Sequence, residues 1–261
     1  MKDVTIIQQI NTLALACLFA LASCFCHGIE LKTAYQDSPP KFYLNDSGEM
    51  VGLGVDIMKA MVKTEPSLRF KSILGNSFLP SKRIQVYLEE GTLDIFFGYV
   101  KNLKRLERFN FLDVPIYPLK HVVAIRADDK IVVNSFDDIR NLGMKGIILS
   151  VSGGASRNYL DNQGGLIIDT GGITHKGNLY KLTGNRGRFV YSHNLGLVAL
   201  IKQESLHNKI KILPTSFRDY FHSVAISKAL PKETVNLLNE TLHKLSNSGE
   251  LTRILQKYTK I

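Results

Sequence analysis

Residues 93–98 read Leu-Asp-Ile-Phe-Phe-Gly, a short and almost continuously apolar stretch that ends at a glycine. Such a run is typical of a strand covered on both faces in a parallel sheet, so we expect it to be central. Residues 81–90, just before it, place apolar side chains at i, i+3 and i+4, and Gly91 ends this helical pattern. A helix followed by a buried strand predicts an α/β fold.

The same alternation continues on both sides of this stretch. Upstream, the patterns predict a strand at 30–35, a helix around 55–62 and a strand at 68–73. Downstream, a second α/β unit is predicted, with strands near residues 121–126, 146–150, 165–168, 188–192, 210–213 and 223–227. Two helices follow, one opened by Pro231 and one over about 251–258. Because these two helices have no sheet of their own, we expect them to pack against one of the two α/β units.

The composition narrows the class of protein. The 261 residues are 44% hydrophobic and 21% charged, which is typical of a soluble globular chain, and the formal net charge is +10. The positive charge alone is compatible with three kinds of partner: an anionic ligand, an acidic surface or nucleic acid. No zinc-finger spacing, basic heptad or aromatic-interleaved basic stretch occurs, so no nucleic-acid partner is expected. The seven histidines lack metal-ligand spacing, and we expect neither a metal nor a cofactor.

The N-terminus has the features of an export signal. Residues 13–22 read LALACLFALA, which is too short for a bilayer-spanning helix but matches the apolar core of a signal peptide. We therefore predict a signal peptide over residues 1–28 and a periplasmic mature protein. A buried first helix is the alternative.

The three cysteines lie in or beside this leader, so no disulfide is expected to hold the mature fold. The stretch Leu21-Ala22-Ser23-Cys24 resembles the bacterial lipobox, in which the cysteine is acylated. Lipidation of Cys24 and ordinary cleavage near Gly28 are both open. A lipid on Cys24 would hold the folded protein at a membrane face, and it is the sole membrane attachment we expect.

Four parts of the chain carry a resemblance to a known family. They are YQDSPPKF at 35–42 with DSGEMVGLGVDI at 46–57, LEEGTLDIFFG at 88–98, NLKR at 102–105 with FLDVPIY at 111–117, and the stretch 249–258. In order and spacing, the chain from residue 29 to 261 resembles the bacterial extracellular solute-binding proteins of family 3. That family includes periplasmic receptors for polar amino acids that serve ABC transporters.

The resemblance implies a type II periplasmic binding protein-like fold: two Rossmann-like α/β lobes joined by two crossover strands. The first lobe would be discontinuous, with residues 29–122 and 225–261, and the second lobe, residues 123–224, would be inserted into it. The crossovers are expected near 121–126 and 221–227. A small-molecule ligand, a membrane permease as partner and a monomeric state are implied as well.

The resemblance also implies ligand-binding residues. Arg105 stands where the family places an arginine that holds the ligand carboxylate, and a guanidinium fork can donate two parallel hydrogen bonds to such a group. Gly98 matches a family glycine whose bare backbone approaches the ligand. Tyr35 and Phe42 are expected to form apolar walls, and Val100 stands where a hydroxyl often helps to hold the carboxylate.

Each of these residues has a structural interpretation too. Arg105 lies in a basic stretch that could be a solvated face, Gly98 could simply end a strand, and the two aromatic side chains could be core. Ser152 and Gly153 resemble a lobe-two loop that leads into a helix, whose free N–H groups attract anions. A plain loop is the alternative there.

The chain departs from the family where the ligand ammonium is usually bound. His193 or Asn194 stands where amino-acid receptors commonly carry an aspartate, and Asn102 replaces a threonine. These departures put an ordinary α-amino acid in doubt. We therefore expect a small amino-acid-like or carboxylate-bearing solute that Arg105 holds, with His193 or Asn194 supplying a neutral contact from the second lobe.

Two other functions share this architecture. The fold also resembles periplasmic cyclohexadienyl dehydratases, in which case Asp37, Glu90 or His193 could act as acid or base. A ligand-binding adaptor for a sensory receptor would bind its solute in the same way. We expect a non-enzymatic protein that delivers its solute to an ABC transporter.

Overall fold

The computed structural model of the protein describes residues 28–151, 155–169, 171–172 and 174–259. The predicted signal peptide up to residue 27, with the acylation of Cys24, lies outside the described residues. So do Ser152 and Gly153 of the predicted anion-binding loop. These expectations remain predictions.

The first part of the chain forms the α/β unit that the sequence predicts. Its elements are β1 (Ile29–Thr33), β2 (Tyr43–Leu44), β3 (Met50–Val51), α1 (Leu53–Thr64), β4 (Leu68–Ser72), α2 (Ser81–Glu89), β5 (Ile95–Tyr99) and α3 (Leu103–Leu106). Strand β1 pairs in parallel with β4. The Asp94 N–H donates to the Lys32 carbonyl at 2.9 Å and so joins β5 to the edge of this pair.

Strand β5 is covered on both faces, as predicted, because all five of its residues are buried, but it lies at the end of its seven-stranded sheet and not at the centre. Its assigned pairing is antiparallel, with the returning strand β11 (Arg218–Ile226), and not parallel as expected from its apolar run. The reason is that the chain comes back into this lobe after building the second one, and burial on two faces does not reveal the direction of the neighbour.

Two long strands run through both lobes. Strand β6 (Asn110–Arg126) pairs with β11 along its first part and with the second lobe along its last part. The strand predicted near 121–126 therefore begins at Asn110. Pro115 and Pro118 obscure its start, because proline inside a run argues against a strand. The register shift beside Ser223, opposite Pro115, accommodates this irregularity.

The second lobe is a mixed sheet with helices on its two faces. Its elements are α4 (Phe136–Arg140), β7 (Ile148–Leu149), α5 (Ala155–Asp161), β8 (Ile168–Asp169), α6 (His175–Thr183), β9 (Phe189–His193), α7 (Asn194–Gln203) and β10 (Ile210–Ile212). Strand β7 is parallel to both β8 and β9. Val122 and Val123 of β6 belong to separate apolar clusters, as expected for neighbours that point to opposite faces of one sheet.

The last two helices are α8 (Lys232–Asn247) and α9 (Glu250–Gln256). Leu238 and Leu242 of α8 and Ile254 of α9 join the same buried cluster as Phe96 of β5, so both helices cover the first lobe, as predicted. The exact lobe boundaries, 29–122 with 225–261 and 123–224, stay predictions. Within the ranges that the structure describes, no helix is both long and apolar enough to cross a membrane.

Candidate functional site

The paired strands β6 and β11 present a polar row on one face. The register places Tyr117 opposite His222 and His121 opposite Arg218. The Tyr117 hydroxyl lies 2.9 Å from His222 Nδ1. The Tyr220 ring lies between them, with its centroid 4.9 Å from that of His121 and 6.0 Å from that of His222. Since residues at i and i+2 of a strand share a face, these side chains form one row on the paired strands, and we call this row the floor of the candidate site.

Gly98 of β5 lies against this floor. Its φ of +98° is one that side-chain-bearing residues rarely adopt. A Cβ atom at this position would clash with the Lys41 side chain and would lie 3.0 Å from the Tyr117 hydroxyl and 3.3 Å from His222 Nδ1. The position therefore requires a glycine, in keeping with the predicted close backbone approach.

Lys41 brings a buried ammonium group to the site. It is only 6% exposed, and its Nζ donates to Gln36 Oε1 at 3.0 Å and to the Gly98 carbonyl at 3.3 Å. Nζ also lies 5.0 Å from the ring centroid of Phe96 and 6.0 Å from that of Tyr99, within the range of cation–π attraction. Burial, followed by the positive charge of Arg105, lowers the pKa of Lys41 to about 7.

Arg105 is held beside Lys41 by the short helix α3. The Asn102 side chain caps this helix by accepting the Arg105 N–H at 3.0 Å. The guanidinium lies 4.4 Å from the Tyr99 ring centroid, and its Nη1 donates to the Val100 carbonyl at 2.7 Å. Burial lowers the pKa of Arg105, but a group that starts at 12.5 stays charged at neutral pH. The side chain is half-buried, unlike its exposed neighbour Lys104.

His193 of the second lobe is near enough to Lys41 for the lysine charge to act on it. It ends β9, and its Nδ1 accepts the Gly196 N–H at 3.0 Å, so in the neutral ring the proton is on Nε2. Burial, followed by the charges of His175, His121 and Lys41, lowers the pKa of His193 to about 3. His193 is therefore a neutral donor at physiological pH.

Asn194, the other candidate from this lobe, has a structural contact. Its Oδ1 accepts the Lys120 N–H of β6 at 3.1 Å, and this hydrogen bond holds the start of α7 against the floor.

His121 of the floor is 2% exposed. It lies between the Tyr191 hydroxyl, 2.9 Å from its Nδ1, and the Ser156 hydroxyl, 3.3 Å from its Nε2. Burial lowers the pKa of His121 to about 4.

The two aromatic candidates, Tyr35 and Phe42, differ in how deeply they are buried. Tyr35 is half-buried and packs against Phe42 with ring centroids 5.3 Å apart. Phe42 has no exposed surface and packs against Gly54, so it belongs to the core beneath Lys41. Val100 contributes its backbone carbonyl to Arg105. The roles of these residues in ligand binding remain predictions.

Sequence reasoning missed part of the site. Lys41, Tyr117 and His222 were not singled out, although Lys41 and Tyr117 fall inside the quoted family segments. A lysine inside the otherwise uncharged stretch Ser38–Tyr43 was the available signal. His222 and Arg218 could have been found by applying the two-residue period to the returning crossover strand.

The site is cationic. Lys41 and Arg105 lie on one side, and Arg218 lies with its guanidinium 5.3 Å from the Tyr220 ring centroid. In the described part of the chain, the charges that perturb Lys41, His193 and His222 belong to other basic groups, and none is a carboxylate. No group of three or more potential metal ligands occurs among the described residues. Such a site attracts anions.

Comparison with known proteins identifies relatives of the whole chain. A probable histidine-binding protein from Neisseria gonorrhoeae is 26% identical over 265 residues, with 94% of this chain and 93% of the relative covered. A solved binding component of an ABC transporter from Wolinella succinogenes, complexed with lysine, has a TM-score of 0.72 at 18% identity over 88% of this chain and 95% of its own. An ancestral amino-acid-binding protein, a precursor of cyclohexadienyl dehydratase, has a TM-score of 0.68 at 18% identity over 88% and 96%.

The two solved structures share the type II periplasmic binding fold with this chain, which confirms the predicted two-lobe α/β architecture. The family model of the bacterial extracellular solute-binding proteins, family 3, matches residues 31–261. That match covers all the described elements except the first residues of β1. The chain is therefore a member of the bacterial extracellular solute-binding proteins, family 3.

Proposed function

We propose that this protein captures a small amino-acid-like or carboxylate-bearing solute between its two lobes and delivers it to the membrane permease of an ABC transporter. The observation that carries the proposal is the position of Arg105. Its guanidinium is fixed against Tyr99 and the Val100 carbonyl, at a cationic site that the first lobe, the β6–β11 floor and His193 of the second lobe share.

The chemistry of capture follows from this arrangement. One N–H of Arg105 is used by the Val100 carbonyl, and a guanidinium has five, so a carboxylate can still be bound through two donors. His193 offers Nε2–H from the opposite lobe. A solute that contacts both lobes favours their closed arrangement, because it binds that state better than an open one.

The cellular setting is proposed on the same basis. The family is extracellular, and the predicted leader would export the chain to the periplasm. We propose that the mature protein is a monomer that acts there either freely or through a lipid on Cys24. The similarity to a probable histidine-binding protein and to a binding component complexed with lysine supports an amino-acid-like solute.

The test is the affinity of an Arg105→Ala variant. A thermal-shift screen of amino acids and small carboxylates first identifies the tightest ligand. By calorimetry, the variant should bind it at least about 30-fold more weakly, since truncating one partner of a buried charge pair typically costs 2 kcal/mol or more. Lys104→Ala, which removes an exposed cation from the same helix, serves as the matched control. Equal affinity in the Arg105→Ala protein would refute the assignment.

A dehydratase activity is the second candidate, because one structural neighbour is a dehydratase precursor. Of the three proposed acids or bases, Asp37 and Glu90 are exposed, and only His193 belongs to the site. With a pKa of about 3, His193 holds no extra proton to give to a leaving hydroxyl at neutral pH. We therefore expect no aromatic product when the protein is incubated with prephenate or arogenate. Turnover that disappears in a His193→Ala variant would establish the enzyme instead.

A further inference from the structure

We propose that Lys41 is a specificity-determining residue that selects a small dicarboxylic acid, by binding a second acid group while Arg105 binds the first. The inference rests on the proposed function, since it assumes that the solute lies at Arg105. It adds a chemical class: an aliphatic diacid that carries no ammonium group.

The first argument is the state of the Lys41 ammonium. The partners that the structure gives it are the amide oxygen of Gln36, the Gly98 carbonyl and aromatic faces, and all of these are neutral. An ammonium has three N–H donors, and two of them are used. A buried cation whose described contacts are all neutral is stabilised strongly by an anion brought to its remaining donor.

The second argument is the surroundings of that donor. The titratable and charged groups that act on one another here are Arg105 from α3, His222 from β11 and His193 from β9. Arg105 is charged, and the two histidines are neutral because burial holds their pKa values below the usual range. A ligand ammonium would meet repulsion from Lys41 and Arg105, and no carboxylate is among these groups to offset it.

The third argument is the spacing of the two cations. Arg105 Cζ lies 4.4 Å and Lys41 Nζ lies 6.0 Å from the same ring centroid, that of Tyr99. The two charges are therefore at most about 10 Å apart, a separation that one short diacid can span with a hydrogen bond at each end. Two carboxylates joined by two or three carbons, as in succinate and glutarate, have the matching charge pattern, whereas an α-amino acid brings an ammonium within two bonds of its carboxylate carbon.

The experiment compares two panels by isothermal titration calorimetry on the mature protein. The first panel is succinate, glutarate and the monoacid butyrate; the second is L-histidine, L-lysine and L-glutamine. We expect a diacid to bind at least about tenfold more tightly than any member of the second panel. In Lys41→Met, which keeps an unbranched side chain one atom shorter and removes its charge, diacid affinity should fall at least about tenfold while butyrate affinity changes by less than about threefold.

Lys59→Met is the matched control, because Lys59 is an exposed residue of α1, outside the site, and its affinities should equal those of the wild type. Circular dichroism checks that both variants are folded. Preferential binding of an α-amino acid by the wild type, or unchanged diacid affinity in Lys41→Met, would overturn the inference and leave the proposed function standing. Failure of both panels to bind would remove both.

Discussion

A lysine ammonium in a pocket of aromatic rings and carbonyl oxygens is unusual, since charged groups are rarely buried unless they are paired. In this protein Lys41 can be buried because Gly98 has no side chain to clash with it. The Gly98 carbonyl also accepts a hydrogen bond from Lys41 Nζ. The two residues are 57 positions apart in the sequence. Their contact therefore depends on the pairing of β5 with the floor strands and not on any local pattern.

The lowered pKa of Lys41 predicts how binding depends on pH. Without ligand, Lys41 loses its proton near pH 7, whereas a bound anion stabilises the protonated form and raises this pKa. Diacid affinity should thus be fully present only well below pH 7 and fall as pH rises through 7, by at most tenfold per unit, because binding must then take up a proton. Calorimetry between pH 6 and 8.5 measures this slope.

The neighbouring groups do not titrate in that window. Arg105 stays charged, His193 stays neutral with a pKa of about 3, and burial raises the pKa of Tyr99 to about 12. Lys41→Met should therefore remove the pH dependence between pH 6 and 8.5. A slope that persists in that variant would mean that another group binds the proton.

At the scale of elements, the spacing of apolar residues along the chain predicted most of the observed helices and strands. Strand β5, the helix α1 and the terminal helices α8 and α9 were all expected near their observed positions, because each buries a regular apolar pattern. The first half of β6 was missed because two prolines interrupt it. The direction of β5 pairing was wrong because the partner strand lies more than 100 residues downstream, and the local sequence carries no information about it.

The residues of the candidate site also fall into two groups, those that the sequence predicted and those that it missed. Arg105 and Gly98 were predicted from their spacing within a family pattern. The structure places Gly98 against the floor, and it places Arg105 on α3 with its guanidinium 4.4 Å from the Tyr99 ring centroid. Lys41 was passed over because charged residues are usually solvated, and its burial needs contacts from three separate elements. His222 and Tyr117 were missed because their hydrogen bond depends on the β6–β11 register.

At the scale of the whole molecule, β6 and β11 serve both lobes at once. They complete the sheet of the first lobe beside β5, continue into the second beside β9, and carry the row Tyr117, His121, Arg218, Tyr220 and His222, of which Tyr117 and His121 are buried. Under the proposed function, we expect a solute on this row to contact β6, β11 and both lobes. Binding and lobe closure would then be coupled through the same residues.

The most direct test of this account is a crystal structure of the mature protein saturated with its tightest-binding small acid. We expect the solute on the β6–β11 floor, with one carboxylate bonded to Arg105, a second acid group on Lys41 Nζ and His193 donating from the other lobe. A solute found away from this floor, or bound there without any contact to Arg105, would contradict the account.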